Sequence, residues 1–316
     1  MSIRYIAFSG GVGGAKLALG LARVVPLDEL LIVCNTGDDF DHLGLRICPD
    51  LDTVTYTLAG RADRVQGWGI EGETWSCLES LAELGGPDWF RLGDRDLATH
   101  LYRTQRLREG AGLGDVTAEL CRALGVSARV IPVSDDPTPT LVATSEGELA
   151  FQDYFVRRRC APRVIGLRFT GAENARIHPQ LAAALASPML KAIVLCPSNP
   201  FLSIDPMLAI PGIRESLRAT GKPVIAVSPI IGGQAVKGPA AKIMAELGMP
   251  VTSLAVAAHY RGVIDALLVD EVDRDALGAV RDLGIACEAT ATLMKDDADK
   301  LRLARRVVEY ADALAR

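Results

Sequence analysis

Short, nearly continuous apolar runs recur along this chain and alternate with longer stretches of helical periodicity. The runs are Tyr5–Phe8, Leu30–Cys34, Lys191–Cys196, Pro223–Val227, Val263–Val269 and Gly284–Cys287. They show little polar–apolar alternation, the pattern of strands covered on both faces. Between and after them, Ala15–Val24, Glu173–Ala186, Ile213–Ala219, Ala240–Leu247 and Ala298–Leu314 read as helices. Consecutive parallel strands need a crossover and a helix supplies it, so the alternation predicts an α/β fold with a Rossmann-like parallel sheet. The middle of the chain departs from this rhythm. Thr74–Leu84 and Asp96–Gly125 read as helices, the second broken near Gly110–Gly114. Arg129–Val133, Thr140–Thr144 and Leu149–Phe155 follow, the last two flanking Ser145–Glu148 as a hairpin. The expectation is a core built from residues 1–60 and 160–316, with residues 61–159 inserted as a mostly helical cap. A cap over the carboxyl edge of such a sheet is where a substrate can be enclosed.

The loops at that edge carry the chemistry. Ser9–Lys16, between the first strand and first helix, reads Ser-Gly-Gly-Val-Gly-Gly-Ala-Lys. It fails the P-loop pattern, which would need Gly-Lys-Ser/Thr at its close, and fails the dinucleotide fingerprint, since Lys16 occupies the third glycine position. Glycines at a helix start still let backbone amides meet an anion, so Gly11, Gly13, Gly14 and Lys16 are phosphate-binding candidates; a tight strand–helix turn is the plain alternative. After the second strand, Asn35–Thr53 holds five aspartates, Asp38, Asp39, Asp41, Asp50 and Asp52. Crowded carboxylates need a compensating partner, either a divalent cation with a phosphate substrate or convergent donors, unless the loop is simply solvated. Asp38, Asp39 and Asp50 are the metal-ligand candidates. Two further loops follow apparent strands: Pro197–Pro206, with Ser198 and Asn199, and Ser228–Lys242, with Gly232, Gly233 and Lys237. Alone, the first reads as an ordinary polar turn and the second stands between a plain loop and a ligand site. Together they outline a site, because ligands of open α/β sheets bind at that edge.

Composition excludes several classes of function. A formal charge of −5 and a sequence pI near 5.5 argue against a nucleic-acid partner. No apolar stretch reaches membrane-spanning length, and the amino-terminal apolar run is too short for a signal peptide. Seven scattered cysteines without a Cys-x-x-Cys pair fit reduced thiols in a cytoplasmic protein. His42, His100, His178 and His259 are isolated in sequence, and no nucleophile–histidine–acid order supports acyl transfer.

Taken together, Ser9–Lys16, Asn35–Asp39, Pro49–Gly60, Gly67–Ile70, Leu92–His100, Ser134–Pro137, Phe151–Val156, Pro197–Pro206 and Ser228–Lys242 resemble the 2-phospho-L-lactate transferase family of coenzyme F(420) biosynthesis nearly end to end. The resemblance implies an α/β nucleotide-binding core, commonly dimeric. The implied donor is a guanosine diphosphate linked to lactate or a related three-carbon acid, and the implied acceptor is the deazaflavin Fo. The acceptor's ribityl hydroxyl attacks the distal phosphorus, GMP leaves, and a phosphodiester forms with Mg²⁺ as cofactor. By the same resemblance Asp52 and Arg91 contact the deazaflavin, and Arg95 of the same motif is a further expected Fo-binding residue. Asp52 and Asp50 are the expected catalytic carboxylates, Asp52 aligning the hydroxyl. Trp68 and Trp75 are candidates to stack on the deazaflavin. Two competing readings are a non-enzymatic nucleotide-sugar-binding regulator sharing the core, and a nicotinamide oxidoreductase. The presence of both Pro49–Tyr56 and Arg91–His100 speaks against the first, and the failed dinucleotide fingerprint against the second.

Overall fold

A computed structural model describes residues 2–314. In chain order the strands are β1 Tyr5–Ser9, β2 Leu30–Cys34, β3 Phe40–His42, β4 Leu45–Ile47, β5 Arg129–Pro132, β6 Thr140–Thr144, β7 Gly147–Ala150, β8 Val164–Phe169, β9 Ala192–Leu195, β10 Val224–Val227, β11 Ile230–Ile231, β12 Gln234–Ala235, β13 Ala266–Val269 and β14 Ala286–Ala289. Seven of them form one sheet in the order β14-β13-β10-β9-β1-β2-β5. Every neighbouring pair in it is parallel. All six apolar runs lie in this sheet, as their pattern predicts.

Both faces of the sheet are buried, and alternate residues of one strand serve different cores. Ile6, Phe8, Leu31 and Val33 pack on one side. Tyr5, Ala7, Leu30 and Ile32 pack on the other, against Leu17 and Leu21 of helix α1 (Gly11–Val24) and against Leu303 and Val307 of the carboxyl-terminal helix Asp297–Leu314. A period of two with both partners apolar is what a strand between two helical layers requires.

Three expectations need correction. Arg129–Pro132 was assigned to the insertion but pairs with β2 as an edge of the main sheet, so the 61–159 segment is not wholly a cap. Helix Glu173–Ala186 is interrupted: a short 3₁₀ turn at Ala172–Asn174 is followed by a helix over Pro179–Leu185, because proline starts a helix but cannot continue one. The expected extended run Leu149–Phe155 leaves the sheet after Ala150, and Asp153–Arg157 winds into a π-helical turn. Helix α2 (Pro49–Leu58) leads into the insertion, which otherwise carries α3 (Ser76–Glu83), α4 (Asp94–Arg108) and α5 (Leu113–Ala123). β6 pairs antiparallel with β7 and β8 in a separate small sheet. Among the described residues no helix is long and apolar enough to cross a membrane.

Candidate active site

The chain leaves β1 towards β2 on one side of the sheet, whereas β9 flanks β1 on the other. Loops after β1 and β9 therefore diverge and open a crevice at the carboxyl edge, the usual ligand position in such sheets. A cleft of ≈ 710 Å³ occupies it. Gly11, Gly13, Lys16, Asp38, Asp50, Asp52, Arg91, Ser198, Asn199 and Lys237 line this cleft, bringing together loops from five parts of the sequence.

The glycine loop is shaped by the loop after β9. A Cβ on Gly13 would lie 2.3 Å from the Pro197 carbonyl oxygen, and one on Gly14 would lie 2.5 Å from Ser198 Oγ. Ser198 Oγ accepts from the Gly10 amide at 3.0 Å and donates to the Gly10 carbonyl at 2.8 Å. Asn199 Oδ1 accepts from the Phe201 and Leu202 amides at 3.0 and 3.2 Å. Ser198 and Asn199 therefore hold the two loops in shape, and Gly14 serves packing and does not line the cleft. Val12 and Gly13, both lining the cleft, sit in the first turn of α1, where amides have no intrahelical acceptor.

Two lysines complete an anion-attracting wall. Lys16 Nζ donates to the Met294 carbonyl at 2.8 Å, and Lys237 Nζ to the Gln66 carbonyl at 2.8 Å. Burial lowers the Lys16 pKa, with repulsion from Lys237 and Lys300 adding to it. Like charges that repel one another are relieved by an anion placed between them.

An acidic pair, Asp38 and Asp50, lines the same cleft. Asn35 Nδ2 donates to Asp38 Oδ1 at 3.0 Å and to Asp50 Oδ2 at 2.9 Å, while the Gly11 amide donates to Asp50 Oδ1 at 2.6 Å. Burial pushes the Asp50 carboxyl up to about 6, and burial with repulsion from Asp50 pushes Asp38 well above its usual range. Among the described residues no three His, Cys, Asp or Glu side chains group as a metal cage. Magnesium does not demand one: it takes one or two carboxylates and completes its shell with water and substrate phosphate oxygens. Asp38 and Asp50, forced together and short of positive charge, fit that role. Asp39 does not. It is 1% exposed and turned away from the cleft, its carboxyl raised to about 7 by burial, with Arg46 Nη2 3.8 Å away.

Asp52 lies on α2, which Pro49 starts, so its carboxylate projects from the first helical turn. Arg103 of α4 grips it with both terminal nitrogens, Nη1 at 3.1 Å from Oδ2 and Nη2 against Oδ1. Arg103 also donates to the Arg46 carbonyl at 3.3 Å. On the same helix His100 Nε2 sits 3.2 Å from Asp96 Oδ2, and the Tyr56 hydroxyl donates to Asp96 Oδ1 at 2.6 Å. Arg103 and Asn35 are functional residues that no sequence motif singles out. Asp96, His100 and Arg103 repeat at i, i+4 and i+7 on one helical face, a polar stripe that marks an inward-facing cluster when the helix is buried.

Other expected residues lie elsewhere. Gly232 and Gly233 form the turn between antiparallel β11 and β12, both with positive φ as a two-residue hairpin turn needs, and neither lines the cleft. Arg95 is exposed outside the cleft, donating to the Glu71 carbonyl at 3.2 Å. Trp68 lines the cleft, whereas Trp75 lies under the Arg91 guanidinium, 4.1 Å from ring centroid to Cζ. Trp89 and Phe90, unremarked in the sequence, add aromatic wall, their rings 5.7 Å apart.

The family model and the sequence relatives point to one family. The family model for 2-phospho-L-lactate transferase CofD matches residues 6–311. A phosphoenolpyruvate transferase of Kitasatospora aureofaciens is 43% identical over 98% of both chains. A 2-phospho-L-lactate transferase of Methanosarcina mazei is 41% identical over 96% of this chain and 99% of its own. Among solved structures, a UPF0052-family protein of Bacillus halodurans superposes with a TM-score of 0.62 at 15% identity, covering 97% of this chain and 98% of that one. At that identity the likeness speaks for the fold alone.

Proposed function

The chain belongs to the 2-phospho-L-lactate transferase CofD family, and from that premise we propose that it is a Mg²⁺-dependent transferase of coenzyme F(420) biosynthesis. It moves the phospho-acid group of a guanosine-diphosphate-linked three-carbon acid to the ribityl hydroxyl of the deazaflavin Fo. The observation that carries this reading is the gathering in one cleft of α1 amides, Lys16 and Lys237 with the Asn35-bridged pair Asp38 and Asp50, of which Asp50 accepts from the Gly11 amide. Phosphoryl transfer asks mainly for positioning and charge neutralisation, which such a cleft supplies.

In this reading the diphosphate lies against the Val12 and Gly13 amides and the two lysines. Asp38 and Asp50 would hold Mg²⁺, which supplies Lewis-acid neutralisation of the phosphate oxygens. Asp52, fixed by Arg103, accepts the hydrogen bond of the attacking hydroxyl and aligns it. As the new P–O bond forms, the bridging P–O bond breaks, GMP leaves with its electron pair, and the hydroxyl proton passes to a cleft carboxylate. Trp68, Trp89 and Phe90 offer the flat apolar surface that a deazaflavin ring covers, and Arg91 sits beside them. A homodimer in the cytoplasm belongs to the same proposal.

Mass spectrometry of the product formed from Fo, Mg²⁺ and the lactyl, enolpyruvyl or glyceryl guanosine-diphosphate donor tests it. A phosphodiester of Fo with one of the acids is expected. No such product from any donor refutes the transferase.

A further inference from the structure

We propose that Arg159 recognises the carboxylate of the donor's three-carbon acid; this rests on the function proposed above. The segment leading to it is tied to the acidic pair, since Gln152 Nε2 donates to the Asp38 carbonyl at 3.3 Å. Phe151 and Phe155 then stack, with centroids 5.4 Å apart and planes 13° from parallel. Three arginines follow. Arg157 lies 3.5 Å from Asp153, and Arg158 pairs with Glu146. Arg157 and Arg159 both line the cleft, and Arg159 has no acidic partner among the described residues.

Its backbone is the second observation. Arg159 and Cys160 adopt φ of 48° and 56°, consecutive left-handed residues where neither is glycine. Side chains oppose that conformation, which glycine adopts freely. A tight turn needing only its shape is served by glycine. Strain retained by a long cationic side chain at a cleft wall points to work done by that side chain.

Charge matching narrows the ligand. The donor carries a diphosphate and one carboxylate, and the carboxylate is common to lactate, enolpyruvate and glycerate. The diphosphate already has α1 amides, Lys16 and Lys237 within its reach. Arg91 is occupied by stacking on Trp75. Arg157 is paired with Asp153, whereas Arg159 has neither pair nor stack among the described residues; a guanidinium matches the planar fork of a carboxylate with two parallel hydrogen bonds.

Calorimetric titration with GDP and with lactyl-diphosphoguanosine, each with Mg²⁺ and without Fo, separates the possibilities. For Arg159→Gly the lactyl donor should bind about 10-fold more weakly or worse, as loss of a charge-assisted pair requires. GDP affinity should be little changed, and the melting temperature should hold or rise, because glycine relieves the turn. Arg159→Lys, which keeps charge but not the fork, should fall between. Equal weakening of GDP and donor would mean that Arg159 reads phosphate and overturns the inference, as would no change in either or a melting temperature that falls. A wild-type protein that binds both ligands equally overturns the inference but leaves the transferase reading intact. One that binds neither removes the nucleotide reading, and the inference with it.

Discussion

Asp52 and Arg103 are 7% and 2% exposed and satisfy one another, so neither charge tolerates loss of its partner. Asp52→Asn should lower turnover by about 100-fold or more by misaligning the acceptor. It should also cost about 3–5 kcal/mol, because Arg103 is left buried without a counter-charge. Urea denaturation and steady-state rates measure the two losses; unaltered stability would mean the pair is open in solution. Asp50 predicts a pH effect of known sign. Its folded pKa, about 6, lies above the unfolded value of 3.8. Its contribution to stability is therefore fully present below the unfolded pKa and is lost as pH rises through about 6. On the order of 2 kcal/mol should disappear between pH 4 and 7. Comparison of melting curves with Asp50→Asn isolates this term, and Mg²⁺ should restore stability at the upper end only in the wild type. An identical pH dependence in both proteins would remove Asp50 as its source. At this scale the sequence was readable where a residue follows a strand at the sheet's edge: Asp38, Asp50, Lys16 and Lys237 all reach the cleft. It misled where local geometry dominates, as in the hairpin turn of Gly232 and Gly233. Arg103 and Asn35 escaped because their partners, Asp52 and Asp50, lie 51 and 15 residues away, and spacing alone does not reveal such a pairing.

Between elements, the decisive contact is the one joining the start of α1 to the loop after β9. Gly13→Ala sets a Cβ against a backbone oxygen that cannot swing aside. A loss of about 1–3 kcal/mol follows from such overpacking. GDP affinity should fall with it, since the same displacement moves the α1 amides. Gly11→Ala meets open space but holds φ of 61°, so it should cost about 1 kcal/mol from backbone strain alone. Calorimetry and thermal melts on both variants check the ordering; a Gly13→Ala protein that binds GDP normally would detach the loop contact from ligand binding. Five of the six apolar runs are interior strands, where burial on both faces leaves an unambiguous pattern; the sixth, β14, is the sheet's other edge and is only partly buried. β5 was misassigned for the complementary reason: an edge strand beginning with exposed Arg129 resembles the insertion's other short runs.

For the whole molecule, the question is whether insertion and core unfold together. α4 belongs to the insertion, yet its Arg103 neutralises Asp52 of the core-proximal α2, and β5 completes the core sheet. The three tryptophans, Trp68, Trp75 and Trp89, all lie within residues 61–159, whereas most of the main sheet lies outside. Tryptophan fluorescence and far-ultraviolet circular dichroism therefore report different regions. Their urea transitions should coincide, as for one cooperative unit. An earlier fluorescence transition would make the insertion a separable unit. The Ser198–Gly10 contact also sets a timetable for biosynthesis. Its partners are 188 residues apart. The ribosome must release well over half of the chain before the first loop to emerge can acquire the lining that shapes it. A nascent chain arrested before β9 would carry a complete glycine sequence and still lack the place where a nucleotide is held.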